Sequence, residues 1–95
     1  MDNSARWQAF EAWASKTYRR RDALRLYQAL KDADSFLREI GAVHNDLLTL
    51  PAEEAVRLLA ALNGNRVFRF RCKDAAACLG KLSRAIHDFA SGGGG

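Results

Sequence analysis

The sequence predicts an all-α fold, a compact orthogonal bundle of four to five helices forming a single domain over residues 1–91. Apolar residues recur at spacings of three and four along most of the 95-residue chain, which is the period of an amphipathic helix. Proline occurs once, so little in the sequence would interrupt a helix. With 48% hydrophobic and 27% charged residues, the composition is that of a globular domain and not of a disordered segment.

The first predicted helix begins at Ser4, whose hydroxyl suits the N-cap position. Helical spacing places four apolar side chains on one face, and they are Trp7, Phe10, Trp13 and Ala14. Aromatic residues at this spacing are expected in the core. No glycine or proline separates this helix from the next, so a break over residues 15–18 is inferred from the pattern alone.

The second predicted helix runs from about Arg20 to Ile40 and is the longest. Its apolar stripe, spaced by three and four, comprises Ala23, Leu26, Tyr27, Leu30, Ala33, Leu37 and Ile40. Gly41 suits the left-handed backbone position just past a helix end. Asp32 and Asp34 are expected to be exposed neighbours on this helix and not a catalytic pair.

A third helix is predicted to begin at Pro51, after a short connection over residues 44–50. Proline suits the first helical position, and Glu53 and Glu54 complement the positive end of the helix dipole. This helix is expected to end at Asn63-Gly64. The side chains that it is expected to bury are Val56, Leu59, Ala60 and Leu62.

The last predicted helix runs from Asp74, a suitable N-cap, to about Ala90. Its stripe consists of Ala75, Leu79, Leu82, Ile86 and Phe89. The preceding residues 67–72 alternate apolar and basic side chains like a short extended segment, but they also continue this stripe. A lone strand would have no pairing partner, so a helix or irregular turn is favoured. Phe68 and Phe70 are expected to pack in the core, with stacking on bases or insertion into a groove as the alternative.

Two groups of cations stand out in a chain with net charge +4 and a pI near 9.5. The first basic cluster is Arg19, Arg20, Arg21 and Arg25, and the second basic cluster is Arg66, Arg69, Arg71 and Lys73. This clustering favours an anionic partner, with all eight residues predicted to contact nucleic acid, mostly at phosphates. The alternative is that each cluster is a solvated face whose arginine stems cover apolar surface. A joint interface requires both clusters to lie on one face.

The chain contains no glycine-rich phosphate loop, nucleophile elbow or zinc motif, so no catalytic residue, metal site or cofactor is predicted. Cys72 and Cys78 would lie on different faces of one helix, which argues against a disulfide. They are expected to be small buried residues in a reducing, cytoplasmic compartment. There is neither a signal-peptide pattern nor an apolar run of about eighteen residues, so no membrane partner is predicted.

Two stretches carry a resemblance to a known family. Residues 26–30 (Leu-Tyr-Gln-Ala-Leu), followed by residues 35–37 (Ser-Phe-Leu) and Gly41, resemble the second helix of the core-binding, SAM-like domain of phage-integrase-type tyrosine recombinases. Residues 78–89, with an arginine and apolar residues before a terminal aromatic, are similar to the last helix of that domain. The resemblance implies a helical domain that clamps DNA through helix ends and basic loops, while a separate C-terminal domain holds the catalytic residues.

The chain departs from that family where residues 66–72 replace the usual Ser or Thr before the last helix, and where the connection after Tyr18 is short. The glycines at 92–95 are expected to form a flexible linker to a tethered C-terminal domain. The predicted function is therefore a non-catalytic DNA-binding module, with duplex favoured over single-stranded DNA. The alternative is a protein-interaction or homodimerisation domain, indicated by the alanine and leucine of residues 56–62 and 75–82.

Overall fold

Helices account for most of residues 4–93, which are the residues that the structure, a computed structural model, describes. The helices are α1 (Ser4–Thr17), α2 (Arg20–Glu39), α3 (Ala52–Asn63), α4 (Arg66–Arg71), α5 (Lys73–Ala77) and α6 (Leu79–Asp88). A 3-10 turn over Leu47–Thr49 precedes α3, and a π-helical turn over Phe89–Gly93 follows α6. The all-α prediction is confirmed, with no strand in the described range. The rest of the predicted glycine linker, Gly94 and Gly95, lies outside it.

The central element is α2, which packs against α1, α5 and α6. Its 20 residues span about 30 Å. Gly41 follows with φ of 77°, the left-handed conformation predicted for it. Ile40 was expected to close the buried stripe, but it lies just past the helix end and its side chain is 54% exposed. Because the chain turns at Gly41, Val43 enters the core in its place.

Aromatic side chains join the two ends of the described chain. Phe10 is fully buried, and its ring centroid lies 5.7 Å from that of Trp13 and 5.2 Å from that of Phe89. Trp7 packs edge-on against Tyr27 at 6.2 Å. These contacts hold α1 against α2 and the turn that follows α6, so the N-terminal helix is an integral part of the core.

The face of α3 that is buried is rotated about the helix axis relative to the predicted face. Ala55, Leu59 and Leu62 are buried, whereas Val56 is half-buried and Ala60 is exposed. The reason is that α3 packs mainly along α6, and the line from 55 through 59 to 62 faces that helix. The helix also begins one residue later than predicted, with Pro51 at the N-cap.

Residues 66–71 form a helix, so the extended alternative for this segment is wrong. The Asn65 side chain caps α4 by accepting a hydrogen bond from the backbone N–H of Phe68 at 2.9 Å. The N-cap residue of α4, Asn65, therefore lies before the segment 67–72 whose conformation the sequence left open.

The predicted last helix is divided in two at Cys78. The N–H of Cys78 bonds to the carbonyl of Ala75, three residues back, which ends α5 in a tight turn before α6 begins. Cys72 holds the N-cap position of α5, so Asp74 lies in the first turn and is not the cap. Both cysteines are free and half-buried, and not fully buried as expected.

Asp34 is a buried carboxylate, which corrects the expectation that it is exposed. It is 4% exposed, and its Oδ1 accepts a hydrogen bond from the N–H of Leu47 at 2.9 Å. The Arg38 guanidinium lies 3.3 Å from its Oδ2. Burial raises the pKa of the Asp34 carboxyl, although the Leu47 N–H and Arg38 oppose that shift. Asp34 therefore anchors the 3-10 turn to α2.

Replacing Asp34 with asparagine should make stability less dependent on pH. Because the pKa of Asp34 is raised in the folded state, the folded protein binds more protons than the unfolded protein just above pH 4. The free energy of unfolding of the wild type therefore falls as pH rises through the folded pKa. Asparagine can still accept the Leu47 N–H and carries no charge. We expect the stability of Asp34→Asn relative to the wild type to grow between about pH 3.5 and pH 6.5, measured by urea unfolding.

Asp34→Ala is the matched control, because it leaves the buried Leu47 N–H without an acceptor. It should be less stable than Asp34→Asn by about 1–3 kcal/mol at every pH, because both variants lack the titrating carboxyl and differ in the acceptor for Leu47. A difference between Asp34→Asn and wild type that stays constant or shrinks with rising pH would contradict the buried carboxylate.

Candidate nucleic-acid interface

The first basic cluster begins at the N-terminus of α2. Arg19 holds the N-cap position, but its side chain makes no capping hydrogen bond. Arg20 and Arg21 follow in the first turn, and all three side chains are exposed. Cations at the positive end of a helix dipole destabilise the helix. Helix stability therefore does not account for these three arginines.

Arg25, one turn further along α2, faces cations from α6. It lines a cleft of about 280 Å³ together with Lys81 and Arg84, which we call the α2–α6 cleft. The rest of its lining is Tyr18, Asp22, Leu26 and Cys78. Within the described chain, the fold thus brings three cations from two distant segments around one cavity, with Asp22 as the single carboxylate in its wall.

Lys81 and Arg84 were not among the predicted contacts. The sequence signal that could have found them is their spacing of three, which places both on one face of α6. Their approach to Arg25 follows from the packing of α6 on α2, which no local pattern specifies.

Tyr18 adds a neutral polar group to the cleft. Burial raises the pKa of its hydroxyl, the Asp88 carboxylate raises it further, and Arg84 opposes the shift. The hydroxyl therefore stays protonated at neutral pH and can donate a hydrogen bond to an anion. Edge-on packing against Trp13, with ring centroids 5.7 Å apart, holds the Tyr18 ring in position.

The second basic cluster lies on α4 and the start of α5, and all four of its side chains are exposed. Arg71 is engaged within the protein, since its Nη1 donates a hydrogen bond to Glu39 Oε2 at 2.9 Å. Its guanidinium also lies over the Phe36 ring, 5.6 Å from the centroid. The Lys73 ammonium lies 5.9 Å from the centroid of the Phe70 ring. Arg71 is therefore less available to a ligand than its neighbours.

The two clusters do not merge into one patch. Arg19, Arg20 and Arg21 start α2, whereas Arg71 contacts Glu39, the last residue of that helix, about 30 Å away. Arg25 lies nearer to the second cluster, but Asp32 lines one cleft with Arg25 and another with Arg71, so a carboxylate lies between them. The interface predicted from eight residues is thus two separate basic areas, and the first of them gains Lys81 and Arg84.

Most of these cations lack an acidic partner. Of the eight predicted residues, Arg71 alone forms an ion pair within residues 4–93. The side chains of Arg19, Arg20, Arg21, Arg25, Arg66 and Arg69 are exposed without an ion pair in that range. Their charge is therefore not neutralised by the described part of the protein.

The two phenylalanines of α4 point in different directions. Phe68 is fully buried, with its ring centroid 5.3 Å from that of Phe36, so the core prediction is confirmed for it. Phe70 is 77% exposed, and the core prediction is wrong there. Residues two apart in a helix differ by about 200° in direction, which explains why only one of them reaches the core.

No protein-family model, curated protein or solved structure matches this chain. None of the helices within residues 4–93 is long and apolar enough to span a membrane. Support for a function therefore comes from the positions of the basic residues.

Proposed function

We propose that the chain is a non-catalytic DNA-binding module that holds the phosphate backbone through the first basic cluster and the α2–α6 cleft. The observation that carries this proposal is the convergence of Arg25 with Lys81 and Arg84. Guanidinium groups bind phosphate oxygens through paired N–H donors, and a lysine ammonium adds a point charge. Three cations around one cavity repel one another, and a bound phosphate would reduce that repulsion.

The shape of the basic surface favours duplex DNA. Arg19, Arg20 and Arg21 lie about 30 Å along α2 from the residue that Arg71 contacts, close to the ~34 Å of one turn of B-DNA. A duplex held at the first basic cluster and the α2–α6 cleft would extend along α2 towards the second basic cluster.

The resemblance to the recombinase core-binding domain supports the same role. The stretches that carry it, residues 26–41 and 78–89, belong mainly to α2 and α6. These are the two helices whose packing forms the α2–α6 cleft. In that family the domain clamps DNA without contributing catalytic residues, which is the role proposed for this chain.

The protein-interaction alternative has less support. It drew on residues 56–62 and 75–82, but the large side chains of these segments mostly fill the core. The buried ones are Leu59, Leu62, Leu79 and Leu82. These stretches therefore supply internal packing of α3 against α6 and of α5 against α2, and the apolar residues they leave fully exposed are alanines.

The proposal is tested by fluorescence anisotropy with a labelled duplex of about 30 base pairs. Six cations at phosphates predict that affinity falls about 1,000-fold between about 50 mM and 200 mM salt, because counterions are released on binding. Absence of binding at the lower salt concentration, or an affinity independent of salt, would refute the phosphate mechanism.

A further inference from the structure

Phe70 is the most exposed of the large apolar side chains within the described residues, at 77%. Val67, one turn earlier on α4, is also exposed at 55%. The side chains of Arg66, Arg69 and Lys73 surround this pair in sequence, and residues 66–73 contain no acid. We call Val67, Phe70 and these three cations the α4 patch.

The core contact and the N-cap of α4 come from residues other than Phe70. Phe68 supplies the core contact of this helix, and the Asn65 side chain caps its N-terminus. Within residues 4–93, the Phe70 ring has no aromatic partner, and its charged neighbour is the Lys73 ammonium at 5.9 Å from the centroid. An exposed phenyl ring flanked by cations therefore suits a partner that has both an aromatic face and negative charge.

We infer that Phe70 is a stacking platform for an unpaired base, so that the α4 patch binds single-stranded DNA. A base offers a flat π-face to the ring, and the flanking phosphates lie within reach of cations such as Arg66, Arg69 and Lys73. Stacking on an aromatic ring tolerates any base, so the patch selects strandedness and not sequence.

This inference rests on the proposed function and deepens it. The α2–α6 cleft would hold duplex phosphates, while the α4 patch, at the other end of α2, would take an unpaired strand. The partner is then DNA that is partly single-stranded, such as a duplex with an overhang or a melted end. A membrane surface fits less well, since the six-residue α4 exposes two apolar side chains and not an extended apolar face.

The test compares an oligothymidine with an abasic strand of equal length, which carries the same phosphates without bases. Wild-type protein should bind the oligothymidine more tightly. Phe70→Ala should reduce that affinity about 5- to 150-fold and leave abasic binding unchanged. Phe70→Trp should retain the preference for bases. Leu24→Ala, which removes another exposed apolar side chain (59% exposed) on α2, should change neither affinity.

Equal affinity of wild-type protein for the two strands would overturn the stacking role, and so would an equal loss on both strands in Phe70→Ala. Loss of binding to acidic phospholipid vesicles in Phe70→Ala, with both DNA affinities unchanged, would assign the patch to a membrane instead. Duplex binding separates this inference from the proposed function. If wild type binds duplex DNA and Phe70→Ala binds oligothymidine as tightly as wild type does, the stacking role is refuted and the proposed function stands. If wild type binds no DNA at low salt, the proposed function is refuted.

Discussion

Replacing Phe68 with alanine is expected to lower the free energy of unfolding by about 3–5 kcal/mol. The Phe68 side chain is fully buried and packs against Phe36 across the junction of α4 with α2. Removing the ring leaves a cavity that neighbouring side chains can fill only in part. The measurement is urea unfolding followed by helical circular dichroism.

Phe70→Ala is the matched control for this prediction, because the same substitution two residues away removes an exposed ring. It should change stability by no more than about 0.5 kcal/mol. Similar losses in the two variants would contradict the helical conformation of α4, since an extended segment would place both rings on one face.

The double substitution Arg25→Glu/Arg84→Glu is expected to lower duplex affinity about 100-fold or more at about 50 mM salt. It removes two proposed phosphate contacts, one from α2 and one from α6, and places two carboxylates in the α2–α6 cleft. Both side chains are exposed, so the fold should remain intact. The measurement is the anisotropy titration, with circular dichroism as the check on folding.

Lys31→Glu/Arg57→Glu is the control, because it lowers the net charge by the same amount at exposed positions outside the cleft. Lys31 lies beside Trp7 and Tyr27, and Arg57 lies on α3. This variant should lose far less affinity than the cleft variant. An equal loss in both would show that overall charge, and not the α2–α6 cleft, governs binding.

The helices themselves could be predicted from the sequence because their signals are local. The stripe from Ala23 to Leu37 predicts α2 to within a residue or two, and Gly41 predicts where it ends. Phe68 and Phe70 show the limit of such signals. Alternation of apolar and basic residues fits a strand, and the helix is favoured only because a strand would lack a partner.

The remaining features depend on tertiary contacts that no local pattern encodes. Asp34 accepts the N–H of Leu47, 13 residues away, and this contact cannot be read from its position on α2. The break at Cys78 occurs in an unbroken apolar stripe. For the candidate site, the sequence identified Arg25, but its partners Lys81 and Arg84 become visible only when α6 packs on α2.

The most direct test of DNA binding at the α2–α6 cleft is a titration of isotope-labelled protein with duplex DNA, followed by backbone amide NMR shifts. Binding at the cleft predicts the largest shift changes over residues 18–26 and 78–84, which include its lining residues. The exposed surface of α3 around Arg57 should change little. Shift changes centred on α3, with the cleft residues unaffected, would contradict DNA binding at the α2–α6 cleft.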